Sequence, residues 1–168
     1  NWHKQTVWST ITTLNVKDVT FGNSTFIACG ADGAIKTSDD GDNPWLSRTS
    51  GASGITLHGI TFGNNLFFSV GGSGKLIKSS DNGTSWVNIP SQVSTTLYSI
   101  AYGNSIFLAV GTKTVIASTD NTGSTFGIKA TMYTFEDVTF GNGVFVAVGY
   151  KIIYTSTDGV TWTQVYGE

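Results

Sequence analysis

A repeat of about 40 residues runs through this 168-residue chain and limits what it can fold into. Four stretches of one pattern begin at Val19, Ile60, Ile100 and Val138, at intervals of 41, 40 and 38 residues. No apolar period of 3.6 residues persists, so helices are not expected. A period near 40 without helices is typical of one four-stranded blade per repeat. The sequence therefore predicts an all-β fold, a β-propeller of four-stranded antiparallel blades built from four repeats.

Each repeat divides into four strands, which we name a to d in chain order. Strand a ends in an aromatic residue followed by Gly-Asn, a pair that tolerates the positive φ of a tight hairpin. Strand b is apolar or small on both faces, as in FLAVG, so neighbouring blades have to cover it. Cys29 lies in one strand b, and we interpret it as a small buried apolar group rather than a nucleophile.

A short motif lies between strands c and d. Ser79 to Trp86 reads S-x-D-x-G-x-x-W, in which Asp can accept backbone N–H bonds within its own turn and Trp can fold back as an apolar plug. The pattern resembles the Asp-box (BNR, YVTN-like, sialidase-type) family of β-propeller repeats, over nearly the whole chain. The resemblance implies a structural role, with drifting spacing, for these residues: Ser38, Asp40, Trp45, Ser79, Asp81, Gly83, Trp86, Ser118, Asp120, Gly123, Phe126, Ser156, Asp158, Gly159 and Trp162.

We predict one domain, 1–168, with an extra outer strand and loop at 1–15 and blades at about 16–50, 57–92, 97–130 and 135–168. The extra strand is inferred because Trp2 precedes Leu14 at the spacing that Trp45 keeps from Leu57. Five residues could then begin a strand d, while the chain has only four sets of strands a, b and c. These five residues are Trp2, Trp45, Trp86, Phe126 and Trp162. Three explanations stay open: a segment of a longer propeller, a d strand that lies elsewhere, or copies that share edge strands in one ring.

The composition narrows the classes of partner. The net charge is −2 and only 12% of residues are charged, so neither nucleic acid nor an anionic membrane is expected as a partner. No apolar run is long enough for a spanning helix, so membrane insertion is not expected. One cysteine and two distant histidines, His3 and His58, predict no metal site and no cofactor.

Catalysis finds little support in the sequence. The family resemblance implies sialidase chemistry, which needs three arginines to clamp a substrate carboxylate, but Arg48 is the only arginine. Glu136 and Asp137 are adjacent on a strand and point to opposite faces, so they cannot both act on one glycosidic bond. We therefore expect no catalytic residues.

One position differs in every repeat although its surroundings are repeated. The first residues of strand a carry Lys17, His58, Tyr98 and Glu136, and we expect them around the mouth of the central channel. The d–a and b–c loops vary most and are expected on the same face. Their candidate ligand-binding residues are Trp8, Arg48, Tyr133 and Tyr150. The alternative interpretations are plain solvent exposure for the first set and capping of blade edges for Trp8 and Tyr133.

The function expected from these features is non-catalytic binding of carbohydrate or a protein surface through the d–a and b–c loop face. Low charge and abundant Ser, Thr, Asn and Gly favour an extracellular or virion-associated module. One alternative is a structural propeller without a small-molecule ligand, part of a larger or oligomeric ring. A glycan hydrolase is the other.

Overall fold

The computed structural model describes residues 15–42, 44–131 and 133–167. These residues form four sheets of four antiparallel strands, each in the order a-b-c-d. Blade 1 contains β1 (Val16–Gly22), β2 (Thr25–Gly30), β3 (Ile35–Ser38) and β4 (Leu46–Arg48). Blade 2 contains β5 (Leu57–Gly63), β6 (Leu66–Gly71), β7 (Leu76–Ser79) and β8 (Val87–Asn88). Blade 3 contains β9 (Leu97–Gly103), β10 (Ile106–Gly111), β11 (Thr114–Ser118) and β12 (Phe126–Ala130). Blade 4 contains β13 (Asp137–Gly141), β14 (Val144–Gly149), β15 (Ile152–Ser156) and β16 (Thr163–Tyr166).

The predicted all-β fold with four four-stranded blades is confirmed. The extra strand expected at the N-terminus, with Trp2 and Trp8, lies outside the described residues. None of the described segments is a helix long and apolar enough to cross a bilayer.

The Gly-Asn pairs set the register of each inner hairpin. In blade 1, Gly22 pairs with Thr25, and the two residues between them, Asn23 and Ser24, have φ values of 46° and 58°. Two consecutive residues of positive φ are the signature of a type I′ turn, whose twist matches that of the strands. The same two-residue loop joins strands a and b in the other three blades.

The blades have no separate cores and share apolar clusters with their neighbours. One cluster joins blade 1 to blade 2, a second joins blade 2 to blade 3, and a third joins blade 3 to blade 4. Strand b supplies the centre of each cluster, for example Ile27, Phe68 and Leu108, which are fully buried. The apolar residues on both faces of strand b are thereby explained, because a neighbouring blade covers each face.

The innermost strands meet through an aromatic ring that lies on a glycine. Strand a of each blade packs against strand a of the next, β1 against β5, β5 against β9 and β9 against β13. The ring of Phe140 covers Gly103 so closely that a Cβ on Gly103 would lie 2.1 Å from its Cγ. The rings of Phe62 and Tyr102 cover Gly22 and Gly63 at the same distance. The glycine is therefore needed for space, since no side chain fits beneath the ring.

The four blades form an open arc within the described part of the chain. No packing comparable to that between successive inner strands joins β13 to β1 there. The apolar side chains of Val19 and Phe21 on β1 are exposed, whereas their equivalents in later blades lie against the preceding blade. The described residues thus do not close into a four-blade ring.

Replacement of Gly103 by alanine tests the ring-on-glycine contact. We expect Gly103→Ala to lower the free energy of unfolding by about 1–3 kcal/mol, because overpacking forces Phe140 and the strand apart. Gly127→Ala on β12 is the control, since its Cβ would meet nothing nearer than Lys129 Nζ at 3.8 Å. Urea titration of both variants measures the difference, and equal midpoints would contradict the packing argument.

Cys29 provides a second test of burial. The side chain of Cys29 is fully buried, with Sγ 3.8 Å from the carbonyl oxygen of Leu57. This burial raises the pKa of the thiol to about 12. Only the thiolate reacts with disulfide reagents, so we expect the native protein to react slowly with 5,5′-dithiobis(2-nitrobenzoate) at pH 8. The rate should rise to that of a free thiol in denaturant, and fast labelling of the native state would contradict this burial.

Candidate functional site

The turns between strands c and d are held by a serine and an aspartate. In blade 2, Ser79 Oγ donates to Asp81 Oδ1 at 2.8 Å and accepts from the Gly83 N–H at 2.9 Å. Asp81 also accepts from the Ser85 N–H and hydroxyl, and Trp86 Nε1 donates to the Gly83 carbonyl oxygen at 3.1 Å. The hydrogen bonds of these side chains therefore lie within the turn and stabilise it.

The other three turns repeat this scheme with local differences. In blades 1 and 4, Ser38 and Ser156 donate to Asp40 and Asp158, and each serine accepts a glycine N–H. In blade 3, the Ser118 hydroxyl donates to the backbone oxygen of Asp120 instead, at 2.7 Å. That serine accepts from the Phe107 N–H, and Asp120 Oδ1 accepts from the Thr122 N–H and hydroxyl.

Hydrogen bonds hold the pKa of these aspartates below the ordinary value. The backbone N–H groups of Thr161 and then Val160, each 2.8 Å from Asp158 Oδ1, lower the pKa of Asp158 to about 2. Asp81 has a lowered pKa chiefly because of the Ser85 hydroxyl. Such carboxylates stay ionised near neutral pH and cannot act as general acids.

The d–a and b–c loops meet at the opposite end of the blades. Ser50 Oγ donates to the Gly33 carbonyl oxygen at 2.6 Å, and the Gly54 N–H donates to Asp32 Oδ1 at 2.7 Å. Between the next loops, the Lys113 N–H donates to Thr134 Oγ1 at 3.3 Å. We call this surface the loop face, and it comprises 31–34, 49–56, 72–75, 89–96, 112–113, 131, 133–136 and 150–151.

An open groove of about 490 Å³ crosses the loop face at blade 2. The β6–β7 turn, with Ser73 and Lys75, forms one wall, and 88–94 with Pro90 forms the other. Lys75 Nζ donates to the Gly51 carbonyl oxygen at 2.9 Å, which ties this turn to the loop that enters blade 2. The groove is thus held by hydrogen bonds across two blades.

The residues at the start of strand a form a band along the inner edge of the loop face, and we call Lys17, His58, Tyr98 and Glu136 the mouth residues. The rings of His58 and Tyr98 meet edge to face, 5.6 Å between centroids. Thr112 Oγ1 donates a hydrogen bond to the Tyr98 hydroxyl at 3.3 Å. Lys17 and Glu136 are exposed at the two ends of the band. The band therefore combines a cation, two half-buried rings and an anion.

The surroundings of His58 favour its uncharged imidazole, because they lower its pKa. Partial burial lowers its pKa first, and the positive charge of Lys17 lowers it further. A neutral imidazole both donates and accepts a hydrogen bond and packs against a ring without a charge to desolvate. His58 is thus suited to contact a ligand at pH 7 rather than to repel a cationic one.

The sequence analysis missed the structural role of the next position along strand a. Asp18 Oδ2 accepts the Ile60 N–H at 2.8 Å, and Ser99 Oγ donates to Asp137 Oδ1 at 2.6 Å, so both bonds cross from one blade to the next. Burial is the main reason that the pKa of Asp18 is raised. The sequence did carry a signal for this role. Successive residues of a strand point to opposite faces of the sheet, so one residue of each polar pair at the start of strand a must face the neighbouring blade.

The candidate loop residues differ in their placement. Arg48, expected in a loop, lies at the end of β4, where its Nε donates to Thr37 Oγ1 at 2.9 Å across the outer edge of blade 1. Tyr133 packs against Tyr154, 5.1 Å between centroids, and covers the end of blade 4. Tyr150 is exposed in the β14–β15 turn with Lys151 Nζ 5.5 Å from its ring centroid. The structure therefore brings the mouth residues together but leaves these three apart from them.

The described residues contain no group of three or more His, Cys, Asp and Glu side chains that could hold a metal ion. Asp137 is occupied by Ser99 and by the Val138 N–H, while Glu136 is exposed. A paired acid and base is therefore not assembled at the start of β13.

Acid titration tests the c–d turns. Because the folded-state pKa of Asp158 is depressed from 3.8 to about 2, its ionised form stabilises the fold above the unfolded value, and this contribution is lost as pH falls through that interval. We expect Asp158→Asn to show a smaller drop in Tm between pH 4 and pH 2 than the wild type. Thermal unfolding followed by circular dichroism measures the difference, and parallel Tm curves would contradict the hydrogen-bond assignment.

Comparisons with known proteins bear on the fold. No protein-family model matches the sequence, and the search of curated proteins finds no match. Among solved structures, "YCF48 bound to D1 peptide" is similar, with a TM-score of 0.73, 20% identity, 92% of this chain and 56% of that chain covered. YCF48 from Cyanidioschyzon merolae matches with a TM-score of 0.73, 15% identity, 93% of this chain and 57% of that chain covered. The chain thus shares the β-propeller fold of these proteins and spans a little over half their length.

Proposed function

We propose that this chain is a non-catalytic binding module that holds a segment of a partner protein across its mouth residues and loop face. The observation that carries the proposal is the contrast between two sets of positions. Residues that recur from blade to blade hold the fold together, as in the hydrogen bonds of the c–d turns and the ring-on-glycine contacts. The mouth position differs in each blade and is exposed or half-buried, and among the described residues its side chains make one hydrogen bond to their surroundings, at the Tyr98 hydroxyl.

The chemistry of the band favours a peptide as ligand. Lys17 and Glu136 offer opposite charges at its two ends, and between them the rings of His58 and Tyr98 offer an apolar edge with polar tips. A peptide can satisfy such a surface with alternating charged and apolar side chains, because an acidic side chain can pair with Lys17 and a basic one with Glu136. The groove of blade 2 extends the same face by about 490 Å³.

One structural neighbour supports a protein ligand. YCF48, whose fold this chain shares, has been solved with a bound D1 peptide. That likeness is one of fold, and this chain matches just over half of that protein, so we transfer only the class of ligand and not its identity.

We also propose that the four c–d turns are Asp-box turns. Three of them share the Ser-to-Asp bond and the glycine N–H on the serine, and the fourth keeps the aspartate bond to a following N–H. An extracellular or virion-associated location stays a prediction from composition.

Selection of random displayed peptides against the chain tests the proposed function. We expect enriched peptides to bind the wild type and to lose affinity at least about tenfold in the triple variant Lys17→Ala, His58→Ala, Tyr98→Ala, since each substitution removes a group at the mouth. Ser80→Ala with Thr84→Ala, both exposed at the opposite end of blade 2, is the matched control. Calorimetric titration measures the affinities.

Two outcomes would contradict the proposal. One is the absence of any enriched peptide, and the other is binding that the triple variant leaves intact. A glycan array run on the same three proteins covers the carbohydrate interpretation, which would replace ours if glycans bound and the triple variant lost them.

A further inference from the structure

We propose that the blade 2 groove holds the main chain of the partner segment, and that the side-chain amides of Asn88 and Gln92 bind its N–H and carbonyl groups. The groove then recognises an extended, uncharged stretch of peptide through its backbone and does not select its side chains. This inference rests on the proposed function, because it assigns one part of the same ligand to the groove.

Gln92 has a backbone conformation that is unfavourable for a residue with a side chain. Its φ is 67°, in the left-handed region that residues other than glycine rarely adopt. In blade 1 the same place in the loop is taken by Gly51, with a φ of 68°, and glycine adopts this conformation without strain. A glutamine where glycine would fold more easily indicates that the side chain itself has a role.

The surrounding contacts establish that Gly51 and Gln92 are equivalent. Both residues follow a buried serine and precede a residue whose carbonyl oxygen lies against a glycine of the b–c turn. The serine, that residue and the glycine are Ser50, Ala52 and Gly33 in blade 1 and Ser91, Val93 and Gly74 in blade 2. Gly51 and Gln92 therefore occupy one position of the repeat.

The loop around Gln92 is held by its own contacts. Ser91 Oγ donates to the Val93 carbonyl oxygen at 3.2 Å and accepts from the Val93 N–H at 3.4 Å, so the turn closes across Gln92. Gly74 lies directly against the same carbonyl oxygen, since a Cβ on Gly74 would clash with it. The side chain of Gln92 is exposed and makes no hydrogen bond to a described residue. A fixed backbone thus presents an unbonded amide, which limits the entropy lost when a ligand binds.

The groove is open because blade 2 lacks a bridge that blade 1 has. In blade 1 the tip of the b–c turn is Asp32, whose Oδ1 accepts the Gly54 N–H at 2.7 Å and so joins the turn to the d–a loop. The tip in blade 2 is Ser73, which has nearly the same φ, 54° against 56°, but a shorter side chain that bonds no described residue. The groove of about 490 Å³ therefore stays unbridged, and its volume is within the range of about 300–1,000 Å³ that is typical of ligand pockets.

The lining of the groove favours a peptide main chain. Asn88 and Gln92 each carry a carbonyl oxygen and an NH₂ group, which match the N–H and carbonyl oxygen of a peptide unit. Lys75 is the one charged residue among the described residues that line the groove, and its Nζ is bonded to the carbonyl oxygen of Gly51, which does not line it. No aromatic residue is among them either, so a sugar ring finds no face on which to stack.

The groove leads to the mouth residues. The loop that carries Gln92 continues into β9, whose second residue is Tyr98. On the opposite wall, the Gly72 N–H donates to the Thr56 carbonyl oxygen at 3.0 Å, two residues before His58. A segment that contacts His58 and Tyr98 can therefore continue outward between the two walls. Its side chains are then selected at the mouth, and its main chain is held in the groove.

A main chain without side chains tests the groove directly. The probe is triglycine blocked at both ends, and its matched control is the blocked trimer of N-methylglycine, which lacks the backbone N–H groups. In titrations of the ¹⁵N-labelled chain followed by nuclear magnetic resonance, we expect triglycine to shift the side-chain amide signals of Asn88 and Gln92 with at least about tenfold higher affinity than the control. Absent shifts, equal affinities of the two probes, or tighter binding of maltose at these signals would overturn the inference.

Gln92→Gly separates binding from folding. Its urea midpoint should equal or exceed that of the wild type, because glycine adopts the left-handed φ without strain, while its affinity for triglycine and for displayed peptides should fall about tenfold. Asn65→Gly is the matched control, since Asn65 is exposed with a φ of 59° at the opposite end of blade 2, and it should leave both affinities unchanged. A Gln92→Gly variant that binds like the wild type contradicts the inference, as does one whose affinity falls only together with its urea midpoint.

The triple variant Lys17→Ala, His58→Ala, Tyr98→Ala distinguishes this inference from the proposed function. It should lose the displayed peptides and still bind triglycine in the groove. Displayed peptides that depend on the mouth residues but not on Gln92 would overturn this inference and leave the proposed function standing. Triglycine bound at Gln92, with no displayed peptide enriched, would overturn the proposed function and leave the groove as a main-chain site.

Discussion

The aromatic ring on a glycine is the contact on which the rest of this structure depends. Where the strands a of successive blades meet, there is no room for two side chains. One blade therefore has a glycine at this position, and the next blade places an aromatic ring over it. Phe62, Tyr102 and Phe140 then also contact Phe67, Phe107 and Phe145 of their own strand b, between 4.6 and 4.7 Å apart. One aromatic side chain, Phe or Tyr, therefore packs both on the glycine of the preceding blade and on strand b of its own blade, which sets the spacing of the blades.

The two ends of the blades have different roles. At the end of the a–b and c–d turns, serine, aspartate and asparagine side chains bond to one another and to backbone groups nearby or in the next blade, and this pattern recurs from blade to blade. At the loop face, hydrogen bonds hold the backbone of the loops while side chains such as Lys17 and Glu136 remain exposed. A scaffold that satisfies its polar groups at one end leaves the other end free to vary.

The sequence predicts most of the fold because the fold is encoded locally and four times over. Gly-Asn has to turn, an apolar strand b has to be covered, and both signals recur in register, so the blades follow without knowledge of their contacts. The site was only partly predictable. The mouth residues are adjacent because inner strands are adjacent, which the repeat implies. The end of β4 at Arg48 and the docking of Tyr133 on Tyr154 depend on loop lengths that differ between blades. The bonds of Asp18 and Ser99 across blades depend on the tilt of neighbouring strands, which no single repeat contains.

Interfaces of this kind make stability a property of neighbours. Each core cluster belongs to two blades, so an isolated blade would expose strand b on both faces and could not fold alone. Blades 2 and 3 have a neighbour on each side, while blades 1 and 4 have one each within the described part of the chain. The same residue types that are buried inside the arc, a valine on strand b and a phenylalanine at the end of strand a, are exposed at its ends. The apolar pattern of the end blades therefore follows the repeat and not their surroundings, which is the pattern of a blade that is built to have two neighbours.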